Sequence, residues 1–382
     1  MICPILKLAK KLISIPSISP NDLGCQKIIC NRLIKIGFSI KYFNIKDTKN
    51  IWAEIGNNNG KTINFLGHTD VVPPGEISKW KFYPFNPTVY KNNLFGRGVA
   101  DMKGAIAAFI TAIERFLLKY SNQYKGKITI LLTSDEEGSG KYGIKEVVKN
   151  LINEKIKINY CIVGEPTSKK FLADTIKNGR RGSLNVEIHI FGKGGHIAYP
   201  KFSENIIHKT CFFINDLIKF NWKENIKHYD ERTCVQISKI RSKDVVENSH
   251  SESLYIRINF RFSYKNNVEK IKLCVQNLLK LHNIKYKIFW RLSGSPFITK
   301  NGLLLDAVKK SIFLFNKMHP NISTSGGTSD GRFISSMKSE IIELGLLNSN
   351  IHKVNENVKI SDLKKLSLIY ENIIKILFLN KD

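Results

Sequence analysis

The feature that most constrains this chain is an apolar run that ends in an imidazole and a carboxylate. The segment Ile63-Asn64-Phe65-Leu66-Gly67-His68-Thr69-Asp70 predicts a buried β-strand that stops at a glycine and is followed by polar side chains. In an open α/β sheet, ions and small molecules bind just beyond the carboxyl ends of the strands. A strand that ends in His-x-Asp therefore directs metal-binding side chains into such a crevice.

The same arrangement recurs three more times along the chain. Residues 127–134 precede Asp135-Glu136-Glu137-Gly138, residues 158–163 precede Gly164-Glu165-Pro166, and residues 339–344 precede a loop that carries His352. Because the carboxyl ends of parallel strands share one edge of a sheet, we expect these His and Glu side chains to lie at one rim.

Length and hydrophobic periodicity predict two domains. The chain has 382 residues, 42% of them hydrophobic, which is enough for a large core. Between about residues 177 and 294, alternating and helical patterns follow one another in the order βαββαβ, which is typical of a small α+β sandwich with both helices on one face of an antiparallel sheet. We therefore predict an α/β domain formed by residues 1–177 and 295–382, with an α+β domain inserted at residues 178–294.

Composition narrows the class of protein. No apolar run approaches the roughly 18 residues needed to span a bilayer, and the N-terminus lacks the features of a secretory signal. The seven cysteines are scattered and never form a C-x-x-C pair, as expected for reduced thiols in a cytoplasmic protein.

The net charge of +28 allows two interpretations. It could mark a protein that binds nucleic acid or an anionic surface. The lysines are spread evenly, however, and accompany an excess of Ile and Asn, which is typical of codon drift in an AT-rich genome. Since the sequence contains no zinc finger, helix-turn-helix or RNA-binding aromatic motif, we predict neither a nucleic-acid partner nor a membrane partner.

Two acidic positions have both a structural and a chemical interpretation. Asp101 lies near the start of a predicted helix at residues 104–120, where a carboxylate can serve as a cap, but together with His68 it becomes a candidate metal ligand. Glu136 and Glu137 could be two solvated acids of a loop. Because adjacent side chains at a strand end point in different directions, one of them can instead bind metal while the other stays free as a general base.

The chain resembles the M20 metallopeptidase family in a set of five motifs that extends over nearly its whole length. They are Gly67-His68-Thr69-Asp70-Val71-Val72-Pro73, Gly96-Arg97-Gly98 with Asp101-Met102-Lys103-Gly104, Ser134-Asp135-Glu136-Glu137-Gly138, Gly164-Glu165-Pro166-Thr167, and Ile351-His352-Lys353-Val354-Asn355-Glu356. The resemblance implies a zinc-exopeptidase-like catalytic domain and an inserted domain that serves as a lid and for dimerisation.

The resemblance also implies a site with two Zn²⁺ ions per subunit, which Co²⁺ can replace. Asp101 would bridge both ions, His68 and Glu165 would complete one site, and Glu137 and His352 the other. Asp70 would orient the ring of His68, and Glu136 would act as general acid and base toward a metal-activated water. His196 would reach the active site of the partner subunit of a homodimer and hold the developing oxyanion; the alternative is a loop histidine beside a glycine turn.

Two further segments favour one branch of the family, whose members remove succinate from N-succinyl-LL-2,6-diaminopimelate in lysine and diaminopimelate biosynthesis. These are Asn178-Gly179-Arg180-Arg181-Gly182-Ser183 and Ser325-Gly326-Gly327-Thr328-Ser329-Asp330-Gly331-Arg332. Cationic and polar side chains should then bind the carboxylates of the substrate, and the resemblance implies Lys177, Arg180, Tyr199, Asn248, Arg261, Thr328 and Asn348.

One departure from the family pattern concerns the shape of the site for the substrate carboxylates and leaves the metal site untouched. The chain has Asn248-Ser249-His250-Ser251 where the family has a turn similar to Asn-Val-Ile-Pro. Two alternatives to the branch above remain to be distinguished from it. One is another amidohydrolase of the family, such as an acetylornithine deacetylase, an aminoacylase or a carboxypeptidase, and the other is a binding protein that uses the positive surface.

Overall fold

The computed structural model describes residues 3–121, 123–243 and 245–379, which fold into two compact units. The first comprises Met1–Gly179, Thr299–Ser323 and Ser329–Asp382, and the second comprises Arg180–Ile298 and Thr324–Thr328. The α/β class with an α+β second part is as predicted. The roles of the two parts as catalytic domain and lid, with boundaries at residues 178 and 294, stay predictions. Within the described ranges, no helix is both long and apolar enough to cross a membrane.

Helices and strands follow one another throughout the described ranges. The helices are α1 Pro4–Ile13, α2 Cys25–Ile34, α3 Gly104–Tyr120, α4 Ile144–Asn153, α5 Ile206–Lys219, α6 Val268–Leu281, α7 Leu303–Asn316, α8 Gly331–Ile334 and α9 Ile360–Leu379. The strands are β1 Ser39–Tyr42, β2 Asn50–Gly56, β3 Thr62–His68, β4 Thr88–Tyr90, β5 Asn93–Phe95, β6 Lys127–Thr133, β7 Tyr160–Val163, β8 Thr175–Lys177, β9 Gly179–Arg180, β10 Gly182–Phe191, β11 Gly195–His196, β12 Cys234–Ser242, β13 Ser249–His250, β14 Ser253–Phe262, β15 Lys285–Gly294, β16 Phe297–Ile298, β17 Asn321–Ser323, β18 Glu340–Glu343 and β19 Asn357–Lys359.

The first unit is built on an eight-stranded sheet with the order β1-β2-β6-β3-β7-β18-β8-β17. In its centre, β3 is parallel to both β6 and β7, and β18 is parallel to β7. Every residue of β3 is buried, as expected for a strand with neighbours on both sides and helices over both faces. The carboxyl ends of these four strands consequently lie at one edge of the sheet.

Helices cover this sheet because their apolar faces need a partner. Helix α3 is rich in alanine, which allows it to pack closely against α9, and α9 also packs against α7. Phe109 of α3 and Tyr370 of α9 both lie against Phe65 of β3, with ring centroids 5.2 and 5.6 Å from its ring. These aromatic contacts hold α3 and α9 against the strand that carries His68.

The second unit has the predicted order β10-α5-β12-β14-α6-β15. Its four strands form an antiparallel sheet with the order β12-β14-β10-β15. Side chains of β14 alternate between buried and more exposed, so one face packs on the helices through Phe213 of α5 and Ile271 of α6. Asn205 and Asn267 begin these two helices by accepting backbone N–H bonds. A short ribbon of β11 and β13 was not predicted.

Two local features differ from the sequence prediction. Helical spacing over residues 22–36 predicts a helix there, but α2 begins only at Cys25, after Gly24 in a left-handed conformation, and the Asp22 carboxylate accepts the N–H groups of Gly24 and Gln26 at its start. The prolines and aromatic residues between Asp70 and Gly96 predict an ordered loop, whereas the structure has the strands β4 and β5 there, which pair with each other and, through β5, with β19.

Candidate metal centre

Four strand ends bring candidate ligands to one edge of the large sheet. His68 is the last residue of β3, Glu136 and Glu137 lie in the loop after β6, Glu165 lies in the loop after β7, and His352 lies in the loop after β18. Each strand supplies an apolar, buried run that fixes the position at which the chain turns polar. The predicted convergence of these side chains is present in the structure.

Asp101 lies at the centre of this cluster. Its Oδ1 is 3.1 Å from His68 Nε2, and its Oδ2 is 3.2 Å from His352 Nε2. The residue is buried in an irregular segment before α3, with φ −125° and ψ 94°, and α3 has no side-chain cap. The alternative role of a helix cap is therefore wrong, and both carboxylate oxygens face imidazole nitrogens.

The remaining candidate ligands divide into two groups around Asp101. His68 Nε2 lies 3.8 Å from Glu165 Oε1, and His352 Nε2 lies 2.8 Å from Glu137 Oε1. In each group, the ligand atoms of the three residues lie within 4.8 Å of one another, and Asp101 is common to both groups. This is the same division that the family resemblance implied, although the ligand roles themselves stay a proposal.

Asp70 is buried behind the cluster and connects two of its parts. His68 Nδ1 lies 3.0 Å from the carbonyl oxygen of Asp70 and 3.5 Å from its Oδ1, so this nitrogen is placed to donate and Nε2 is left to face Asp101. The two oxygens of the Asp70 carboxylate also accept the N–H groups of Glu136 at 3.3 Å and of Glu137 at 3.0 Å. One carboxylate thus orients both the imidazole and the acidic pair.

The crowding of several acidic side chains changes the pKa values of the cluster. Burial raises the pKa of Glu136 well above its usual value, and the nearby charge of Glu165 raises it further. Burial also opposes ionisation of Asp101, but hydrogen bonds from His352 and His68 outweigh it and lower the pKa of Asp101. An ionised bridging carboxylate between two imidazoles is the form that coordinates cations.

The donor set fits divalent metal ions. Four carboxyl groups, of Asp101, Glu136, Glu137 and Glu165, lie close to two imidazoles in these groups, and their mutual repulsion contributes to the raised pKa of Glu136, so bound cations would stabilise the ionised acids. Mixed imidazole and carboxylate ligands suit Zn²⁺ and similar ions, and a carboxylate shared by two groups is what a pair of ions needs. Glu136 lies close to His68 and Glu137, but it is not a member of either set of three candidate ligands that contains Asp101.

Two predicted substrate contacts belong to the first unit. Lys177 is buried in β8, and its Nζ donates to Ser323 Oγ at 3.3 Å. Asn348 is partly buried, and its N–H donates to the carbonyl of Ser168 at 2.9 Å. Their contact with substrate stays a prediction.

The other predicted substrate contacts belong to the second unit, as does His196, which was predicted to be catalytic; these contacts are Arg180, Tyr199, Asn248, Arg261 and Thr328. Arg180 Nη1 donates to the carbonyl of Ser325 at 3.3 Å, which places it beside the loop that carries Thr328. Tyr199 and Asn248 are exposed, and Arg261 lies on the more open face of β14.

His196 is exposed on the ribbon formed by β11 and β13. Its Nδ1 accepts the N–H of Ala198 at 3.1 Å, so the neutral ring carries its proton on Nε2. The ribbon pairs His196 with Ser249, and Ser203 Oγ lies 2.8 Å from His250 Nε2. The unusual segment at residues 248–251 therefore still forms an ordered support for His196.

Comparisons with known proteins agree with this geometry. Residues 65–376 match the model of peptidase family M20/M25/M40. A relative from Buchnera aphidicola subsp. Acyrthosiphon pisum (strain APS), a succinyl-diaminopimelate desuccinylase, is 51% identical over 375 residues, which are 98% of this chain and 99% of the relative.

Solved structures show the same fold at lower identity. The M20 family metallo-carboxypeptidase of Sulfolobus solfataricus superposes with a TM-score of 0.77 at 19% identity, covering 98% of this chain and 99% of that one. A dinuclear metal-binding peptidase of Bacillus subtilis superposes with a TM-score of 0.73 at 15% identity, covering 98% and 97%. By its full-length match and its fold, this chain belongs to the M20/M25/M40 peptidase family.

Proposed function

We propose that this enzyme hydrolyses the amide of N-succinyl-LL-2,6-diaminopimelate to succinate and LL-2,6-diaminopimelate, using two Zn²⁺ ions that Co²⁺ can replace. The name of the relative that is 51% identical over nearly the whole chain supports this substrate. The observation that carries the chemistry is the position of the Asp101 carboxylate, with one oxygen 3.1 Å from His68 and the other 3.2 Å from His352.

In this proposal His68, Asp101 and Glu165 would hold one ion, and Asp101, Glu137 and His352 would hold the other. When bound, such a pair of ions acidifies water and polarises the carbonyl of the scissile amide. Glu136 is close to the centre but belongs to neither set, so it is free to take the proton of the attacking water and return it to the departing amine.

His196 supplies a further donor in this proposal. Because Nδ1 accepts the N–H of Ala198, the proton on Nε2 is available to the oxygen that gains negative charge as the amide is attacked. We propose that it does so across the interface of a homodimer. This arrangement would make the assembled dimer the active form.

The substrate carries several carboxylates, so we propose Lys177, Arg180, Tyr199, Asn248, Arg261, Thr328 and Asn348 as the side chains that bind it. Arginine binds carboxylates through paired N–H donors, which makes Arg180 and Arg261 the strongest of these candidates. The cytoplasm is the proposed location, because the substrate is an intermediate of amino-acid biosynthesis.

The test is a comparison of two amides on purified enzyme reconstituted with Zn²⁺. N-succinyl-LL-2,6-diaminopimelate should be turned over with a kcat/KM at least about 100-fold above that for N-acetylornithine, since a pocket built from cationic and polar side chains favours the substrate that carries more carboxylates. Equal values, or a preference for the acetylated amine, would assign the chain to another branch of the family.

A further inference from the structure

A buried ion pair lies next to the metal cluster without contributing a ligand to it. Arg97 Nη1 donates to Glu356 Oε2 at 2.8 Å, and the two side chains are only 2% and 1% exposed. The guanidinium carbon of Arg97 also lies 5.2 Å from the ring centroid of Trp80. Buried ion pairs add little net stability compared with apolar residues of similar size. The pair therefore needs an explanation other than stability.

The Glu356 carboxylate also binds the backbone that carries Asp101. Its Oε2 accepts the N–H of Gly98 at 2.9 Å, and its Oε1 accepts the N–H of Ala100 at 2.8 Å and of Asp101 itself at 3.2 Å. Three N–H groups of an irregular segment are thus held by one side chain. No apolar residue could accept these bonds, and an unpaired buried N–H group would cost about 1–3 kcal/mol.

Glu356 belongs to the segment that carries the other imidazole ligand. It follows His352 closely in the chain, its carbonyl accepts the N–H of Gly96 at 3.0 Å, and the next residue begins β19, which pairs with β5. The backbone before Asp101 and the backbone after His352 are therefore neighbours in one small sheet. Glu356 therefore connects the segment that carries Asp101 with the segment that carries His352.

We propose that Glu356, together with Arg97, is a positioning residue that fixes the separation between Asp101 and His352 and thereby sets the affinity for the ion held by Asp101, Glu137 and His352. This inference rests on the proposed metal centre. His352 is half-exposed and lies on a loop, so it has little packing of its own to define its position. By binding the backbone of residues 98–101, the carboxylate of Glu356 holds the segment after His352 at a fixed distance from Asp101.

The test is the isosteric variant Glu356→Gln, with Glu371→Gln as matched control. Both oxygens of Glu356 accept N–H groups, so the NH₂ group of a glutamine would face an N–H donor in either orientation. The resulting repulsion should displace the segment that carries Asp101. Glu371 is also a nearly buried acid paired with an arginine, Arg115, at 2.7 Å, but its partners are side chains of α3 and α9 and none is a candidate ligand.

Co²⁺ is titrated into the metal-free proteins and followed by its visible absorption. We expect Glu356→Gln to bind one of two ions about 10–100-fold more weakly than wild type, the usual effect of removing a residue that orients a ligand. Glu371→Gln should bind both ions as wild type does. Wild-type affinities in Glu356→Gln, or an equal loss in Glu371→Gln, would overturn the positioning role.

A second variant covers failure of Glu356→Gln to fold, which circular dichroism would detect. Arg97→Lys keeps the charge and all three backbone bonds to Glu356, so we expect it to fold and to weaken one ion by less than Glu356→Gln would, by about 3–10-fold; unchanged affinity in this variant would overturn the proposal. The titration uses no substrate. If wild type binds fewer than two ions, the proposed function fails and the positioning role with it; if wild type binds two and the variants do not differ from it, only the positioning role fails.

Discussion

His352 Nε2 lies 2.8 Å from Glu137 Oε1, although the two residues are 215 positions apart in the chain. Hydrogen bonds to Asp101 and Glu137 raise the pKa of His352 to about 10, so without metal the imidazolium pairs with these acids, and a bound metal ion would take the place of its proton. The side chain of His352 is half-exposed and lies on a loop, so its contact with Glu137 requires that β18 and β6, the strands that precede these two residues, have fixed positions. The contact between His352 and Glu137 therefore depends on the strand order of the sheet, which brings the ends of β6 and β18 to the same edge.

Removal of metal should abolish catalysis without unfolding the chain. The candidate ligands lie on strand ends whose cores are apolar, so the fold has its own stability. Dialysis against a chelator should reduce hydrolysis of the succinylated substrate to background, and Zn²⁺ or Co²⁺ should restore it. Circular dichroism before and after dialysis checks that the fold persists. An enzyme that keeps its full rate after its metal has been removed would contradict the metal mechanism.

Glu136→Ala should lower kcat by about 10²–10⁴-fold, the range of general acid–base catalysis, while metal content stays near that of wild type. Its neighbour is the matched control, because Glu137→Ala should lose one of two ions. Both quantities can be measured on the same preparations by metal analysis and a rate assay. Loss of metal in the Glu136 variant with retention in the Glu137 variant would show that the two roles are reversed.

Asp70→Asn should weaken metal binding or activity by about 10–100-fold. The carboxylate of Asp70 accepts the N–H of Glu136 on one oxygen and the N–H of Glu137 on the other, and it also lies beside His68 Nδ1. An asparagine has one oxygen and one NH₂ group, so it loses at least one of these bonds. Asp174→Asn is the control, since Asp174 likewise accepts backbone N–H groups, from residues 169–171, away from the cluster. If both variants have the same small effect, Asp70 has no special relation to the metal centre.

His196→Ala should depress kcat by about 10²–10³-fold, as loss of an oxyanion donor does, and leave the affinity for metal unchanged. His208 is an exposed histidine of the same unit, at the start of α5, so His208→Ala is the control and should behave as wild type. An unchanged rate in the His196 variant would make it an ordinary loop residue.

Mixed dimers separate action across the interface from action within one chain. Neither Glu136→Ala nor His196→Ala should be active alone. If His196 serves the partner's site, a hybrid of the two contains one site with both residues intact, and mixing the variants should restore activity approaching a quarter of the wild-type value. No recovery, in a mixture shown to exchange subunits, would place His196 in its own subunit's site.

The sequence predicted the parts of the fold that depend on periodicity. Helix α3 has the predicted bounds because its apolar spacing runs unbroken from Gly104 to Tyr120, and β3 ends at His68 because Gly67 and the polar residues close an apolar run. The convergence of the candidate ligands followed from the rule that parallel strands share their carboxyl ends.

Features that depend on distant partners were not predictable in this way. The irregular segment at Asp101 exists because Glu356, 255 residues further on, accepts its N–H, and no local pattern contains that contact. Likewise, β4 and β5 are only three residues long, and their pairing depends on β19. Arg97 and Glu356 stood within recognised motifs, but as charged residues in loops they gave no sign of complete burial.

The most direct measurement of the central claim is a crystal structure of the Zn²⁺-loaded enzyme with anomalous data at the zinc edge. We expect two peaks about 3.5 Å apart, each within about 2.2 Å of a different oxygen of Asp101, with His68 on one and His352 on the other. A single peak, or two peaks of which only one touches Asp101, would contradict a metal pair bridged by this carboxylate.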